Sequence, residues 1–152
     1  MKAAPLLHPA LSTFLLDNGF GAHDLDAPGA HGLTPLMRAC LDARLDLVEA
    51  LIERDVDVQA RNDDGNNALW LACVSARPEL VRRLVRAGID VNNRNVTGAT
   101  ALMYTASAGK DAMVALLLEL GADPWIENQD GSRAVDMAAS IGALQHLRFT
   151  AR

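Results

Sequence analysis

Two thiols, four imidazoles and 19 carboxylates lead the side chains of this 152-residue chain that could do nucleophilic, acid-base or metal chemistry. Cys40 and Cys73 stand 33 residues apart. A nucleophilic thiol needs a base beside it, and no histidine falls between residues 32 and 97. His8, His23, His31 and His146 are scattered, with no two at i, i+3 or i+4, whereas a metal site needs three or four converging ligands. Asp63, Asp64 and Asp130 fall in turn segments, where solvent screening makes carboxylates poor general acids. There is no Gly-x-Ser-x-Gly, no Walker-type loop and no Gly-x-Gly-x-x-Gly. The sequence therefore predicts no catalytic residue, no metal ligand and no cofactor, with a small hydrolase or metal enzyme as the third of three readings.

Stepping out from those groups, 14 Lys and Arg against 19 Asp and Glu give a formal net charge of −5. A chain of that sign lacks the positive surface that neutralises phosphates, so no nucleic-acid partner is expected. No apolar run reaches the roughly 18 residues a membrane span requires, so no membrane partner is expected either. Met1 to Phe20 is a poor signal peptide, because Pro5, His8 and Pro9 interrupt it and no small-residue cleavage site follows. The expectation is a cytoplasmic protein whose first helix begins near Pro9, with a secreted or translocated effector as the alternative. Compactness and Ala-, Arg- and Leu-rich usage point to a bacterial source. With only 4% aromatic residues, the interior must be Ala, Leu, Val and Ile, which suits helices packed closely; the fold class expected is all-α.

The elements that position these residues follow from a repeat. Gly32, Gly65, Gly98 and Gly131 are each 33 residues from the next, without insertions. Each opens a polar-to-apolar switch: Gly-Leu-Thr-Pro-Leu, Gly-Asn-Asn-Ala-Leu, Gly-Ala-Thr-Ala-Leu and Gly-Ser-Arg-Ala-Val. Thr34, Asn67 and Thr100 are good N-caps, and Pro35 suits a first helical position. First helices are predicted over 35–43, 68–75 and 101–108, with small residues Ala39, Ala72 and Ala106 allowing close approach. Second helices are predicted over 45–54, 78–87 and 110–120, with an apolar stripe such as Leu47, Val48, Leu51 and Ile52. Gly88 and Gly121 should close two of them in left-handed conformation, while Asp55 holds that place in the first and should fray it slightly. Extended arms over 57–61, 90–94 and 123–127 lead to turn tips that open with Asn62, Asn95 and Asn128 and close with the repeating glycine. Neighbouring helices about 8–10 Å apart would hold Cys40 and Cys73 beyond the roughly 4.4–6.8 Å that a disulfide allows, so both are expected as reduced, buried thiols.

The residues Gly32-Leu-Thr-Pro-Leu-Met-Arg-Ala-Cys40, Gly98-Ala-Thr-Ala-Leu-Met-Tyr-Thr-Ala106, Leu116 to Asp123 and Leu84 to Asn92 resemble the ankyrin repeat family. The resemblance implies a solenoid of stacked helix-turn-helix units with β-hairpin-like loops, in which each repeat contacts only its neighbours. It divides the chain as a single domain, 1–152: a degenerate N-terminal cap (5–31), repeats 32–64, 65–97 and 98–130, and a truncated C-terminal cap (131–152). It also implies binding of another protein through the hairpin tips and concave helix face, without catalysis.

The binding surface can be sought in columns that vary from repeat to repeat and so carry no shared structural duty. Leu33, Asn66 and Ala99 follow the glycine column; Asp63, Asp64, Val96 and Thr97 precede it. Leu41, Val74, Ser75 and Ser107 mark the exits of the first helices. Trp70 shares a column with Met37 and Met103, a soft apolar patch if it faces the groove, with stacking inside the fold as the equal alternative. Trp125, in the third arm, is either an interface residue or packed beneath the arm or cap. Arg61 and Arg94 share a column and would steer a carboxylate-bearing partner, unless they are solvated or paired with Asp63 and Asp64. Arg82, Arg83 and Arg86, with Glu79 nearby, read as a solvated convex face. These residues make a protein-interaction module that regulates or localises one partner the leading reading. The expected state is a monomer; a self-assembling scaffold is the second reading, because solenoid ends are apolar unless capped.

Overall fold

The computed structural model describes residues 8–150, and side chains through Arg148. The parts of the expected caps at 5–7 and 151–152, the signal-peptide reading of the first seven residues and the side chain of Phe149 lie outside the described residues. The described chain is all-helical, 51% helix without strands.

Helix α1 (Pro9–Asp17) starts where proline permits and precedes a long loop with one tight helical turn at Ala30–Gly32. Three pairs follow at the 33-residue period: α2 (Pro35–Leu41) with α3 (Leu45–Ile52), α4 (Ala68–Ser75) with α5 (Pro78–Arg86), and α6 (Ala101–Ser107) with α7 (Asp111–Glu119). The short α8 (Ala134–Met137) and α9 (Ile141–Thr150) complete the stack. The observed helices fall within the predicted spans and match one of them, 68–75, at both ends.

Each first helix is started by its own polar residue. The Oγ1 atoms of Thr34 and Thr100 accept from the Met37 and Met103 N–H groups at 3.3 Å, and the Asn67 Oδ1 accepts from Leu69 at 3.2 Å. At the fourth repeat, where Arg133 stands in this column, the Asp136 carboxylate accepts from the Arg133 N–H at 2.8 Å.

First helices pack on first helices, α2 on α4, α4 on α6 and α6 on α8, while α3 meets α5 and α7 meets α9. Flanked on both sides and covered by α5, α4 (ALWLACVS) carries almost no polar face; α5, with solvent on one side, is a regular amphipathic helix burying Leu80, Val81 and Leu84. Leu36, Leu69 and Leu102, one per repeat, are 1–2% exposed, and each fully buried leucine contributes about 2 kcal/mol. The column of Ala39 and Ala72 holds Thr105 in the third repeat, fully buried because its hydroxyl donates to the Leu102 carbonyl at 3.0 Å. Ala106 lies instead in the column of Cys40 and Cys73.

The repeating glycines have two duties. Gly32, Gly65, Gly98 and Gly131 all take φ of 74–78°, a region that penalises L side chains. A Cβ on Gly65 would also lie 3.0 Å from the Val96 nitrogen, and one on Gly98 3.1 Å from the Gln129 nitrogen. The next tip therefore occupies the space a side chain would take.

The expected departure at Asp55 is visible. Gly88 and Gly121 let the following residue close the helix, with Ile89 N–H donating to Leu84 O at 3.1 Å and Ala122 N–H to Leu117 O at 2.9 Å. Asp55 also turns left-handed, at φ 56°, but Val56 makes no such bond to Leu51 and α3 is one residue shorter than its counterparts. The Arg54 guanidinium compensates by donating to Ala50 O at 2.8 Å.

Candidate protein-binding surface

The tips are built by asparagine. In each, the Asn62, Asn95 or Asn128 Oδ1 accepts from backbone N–H groups two and four residues on, at 2.9–3.0 Å. A backbone bond closes each loop, as from Asn62 N–H to Asn66 O at 2.9 Å. Adjacent tips are joined in turn: Asp63, Val96 and Gln129 donate through their backbones to His31, Asp64 and Thr97 carbonyls, each at 3.0 Å. The arms carry a second rung, with Asp57, Asp90 and Asp123 N–H groups donating to the side chains of Asp26, Gln59 and Asn92 at 2.8–3.0 Å.

Arg61 and Arg94 belong to this scaffold, which corrects their reading as partner-steering cations. The Arg61 Nε donates to Gly65 O at 2.9 Å and its Nη2 to Arg94 O at 2.7 Å. The Arg94 Nη2 donates to Glu127 O at 2.8 Å. Neither pairs with Asp63 or Asp64; a planar fork bridges its own tip and the following arm instead.

Met37 and Met103 do not form an exposed patch: each is 1% exposed. Both belong to the core cluster, which a column index alone does not reveal. Asn66 is likewise buried, so its side chain is not an exposed tip residue. Leu33, Leu41 and Ala99 are half-buried against the core, and Ser75 is half-buried with its hydroxyl on Ala72 O. Asp63, Asp64, Val96, Thr97, Val74 and Ser107 are exposed.

Trp70, in the same column, is half-buried and packs against the core. Its ring stacks on Tyr104 of the next repeat, centroids 4.9 Å apart and planes 28° from parallel. Tyr104 was not among the sequence-derived candidates. The signal was present, because it stands one position along the helix from the Trp70 column and one repeat on, where two rings on stacked helices can meet. Partial burial raises the Tyr104 pKa above its ordinary value. Trp125 is 47% exposed on its arm, with the Arg133 guanidinium 5.5 Å from its ring centroid.

The convex side carries ion pairs, two of which join successive second helices. Arg83 reaches back to Glu49 at 2.9 Å and Arg82 forward to Glu119 at 3.5 Å, while Glu79 pairs with Arg77. Cys40 and Cys73 are free and buried, and burial pushes both thiols up to about 12. Among the described residues no three His, Cys, Asp or Glu side chains are grouped to hold a metal ion, and no helix is long and apolar enough to cross a membrane.

No curated protein matches the chain. The family model for ankyrin repeats, three copies, matches residues 1–95 and 76–149. Proteins of this kind are generally protein-protein interaction modules and typically non-enzymatic. Tips, caps, glycine column and family model agree: the chain belongs to the ankyrin repeat family.

Proposed function

We propose that the chain is a non-catalytic module that binds one partner protein through its tips and the adjoining exposed side of its first helices, and so regulates or localises that partner. The observation that carries this reading is the contrast between two kinds of position. Arg61, Arg94, Met37 and Met103 are held by the fold, whereas Val74, Val96 and Trp125 present exposed apolar or aromatic surface, with the half-buried Trp70–Tyr104 pair beside them. Exposed aromatic and apolar side chains beside polar tips are the composition of recognition surfaces. Two reduced, buried cysteines accord with a cytoplasmic setting.

The test is a photo-crosslinking residue placed at Val74, Thr97 or Ser107, with the same residue at Arg86 on the convex side as control, in a lysate of the source organism. One discrete adduct from the first three positions and none from Arg86 is expected. Adducts from Arg86 alone would place the surface on the wrong side.

Leu16 and Ile141, on the helices nearest the two ends, are 79% and 76% exposed, which supports end-to-end self-association as a second reading. Sedimentation at high concentration separates it: a monomer throughout removes this reading.

A further inference from the structure

Trp70 and Tyr104 are rings at positions where the other repeats have none, Met37 and Met103 filling the first column and Arg38 and Leu71 the second. Both rings are half-buried against the core and stacked on one another, so the pair is covered on one side and partly exposed on the other. A half-covered aromatic pair whose polar ends face solvent is what Trp and Tyr bring to interfaces.

Charge identifies what covers them. The arms and tips at 57–66, 90–99 and 123–132 hold seven carboxylates and two guanidiniums, and with Arg133 counted at their edge the excess is still four negative charges. Asp63, Asp64 and Asp130 are exposed and make no ion pair, and both guanidiniums have donors tied to backbone carbonyls. The tip carrying Asp63 and Asp64 leads directly into α4, of which Trp70 is the third residue. The same edge already shows how it receives a cation, with Arg133 lying over the Trp125 ring. A guanidinium gains both from an aromatic face and from unpaired carboxylates.

We propose that the surface formed by Trp70, Tyr104 and the Asp63–Asp64 tip docks a cationic segment of the partner protein, with an arginine side chain against the stacked rings. This rests on the interaction-module reading and adds the partner's chemistry to it. The carboxylates steer the segment in, the rings select arginine, and the indole N–H and phenol O–H donate to its backbone carbonyls.

The test uses the intact chain and a synthetic twelve-residue peptide with three arginines, against the same peptide with neutral citrulline at those positions, at physiological salt. The two indole N–H resonances report separately on Trp70 and Trp125. Expected are a saturable shift of the Trp70 signal, at least tenfold weaker binding of the citrulline peptide, and at least tenfold loss on Tyr104→Ala and on Asp63→Asn with Asp64→Asn. The asparagine pair changes exposed residues only and keeps the fold. No binding, equal binding of the citrulline peptide, or shifts spread over the surface with affinity unchanged in both variants would overturn the proposal. A partner that crosslinks at Val74 and Ser107 but is not displaced by the arginine peptide would leave the module reading standing and remove this inference alone.

Discussion

The Nη2 of Arg61 donates to the backbone carbonyl of Arg94, 33 residues further on and 2.7 Å away. Because the Arg94 guanidinium does the same to Glu127, the arms are laced one to the next by side chains whose spacing equals the repeat. The hydrogen bonds involve a charged donor but stand at an exposed edge, so each bridge contributes about 1 kcal/mol. Arg61→Ala and Arg94→Ala should each lower the unfolding free energy by about that amount, read in urea denaturation. Arg61→Lys should not restore it, because a point charge cannot hold Gly65 O and Arg94 O together. Full stability in both alanine variants would show that the bridges are decorative.

The glycine column separates two costs. Gly131→Ala meets only the left-handed backbone penalty, since nothing lies within 4 Å of its added Cβ, and should cost about 1–2 kcal/mol. Gly65→Ala meets the same penalty plus the Val96 nitrogen and the Arg61 guanidinium, at 3.0 and 2.8 Å, and should cost clearly more, about 3 kcal/mol. Paired thermal melts would measure the difference, and equal losses would mean that the tips do not restrict one another.

Asp55 runs the other way. It occupies the left-handed region at φ 56° where the second and third repeats use glycine. Relief of about 1–2 kcal/mol of strain, offset by roughly 0.5–1 kcal/mol of glycine entropy, leaves Asp55→Gly about 0.5–1 kcal/mol more stable, or about 2–4 °C per kcal/mol in Tm. A lower Tm would contradict this reading of the α3 terminus.

Burial pushes the Cys40 and Cys73 thiols up to about 12, well above their ordinary value. A thiol whose folded pKa is raised stabilises the native state fully below the unfolded pKa and loses that contribution as pH climbs towards the folded value. Between pH 9 and 12 the native chain should therefore weaken more steeply than Cys40→Ala with Cys73→Ala, in chemical denaturation at successive pH values. At pH 8 an alkylating reagent should modify both thiols only at the rate of unfolding; fast labelling of native protein would show that one is accessible.

The scaffold was legible in the sequence wherever its cause is local. Thr34, Asn67 and Thr100 cap the helices they immediately precede, Asn62, Asn95 and Asn128 fold back within four residues, and the unbroken spacing of Gly32 to Gly131 fixes the stack. The surface was less so, because whether a column faces a neighbour or solvent is decided between repeats. Met37 and Met103 looked like groove residues and are interior; Arg61 and Arg94 looked like free cations and are bridges reaching 33 residues ahead. Tyr104 gained its meaning only from Trp70 in the repeat before it.

The central claim is that a partner protein is held where Trp70 and Tyr104 stack. Titration calorimetry of the crosslinked partner, once purified, against the native chain, Trp70→Ala and Tyr104→Ala tests it most directly, with circular dichroism to show that each variant keeps its helices. Each should weaken binding by about 30-fold, the loss of a hot-spot aromatic near 2 kcal/mol. Folded variants that bind with native affinity would contradict the account.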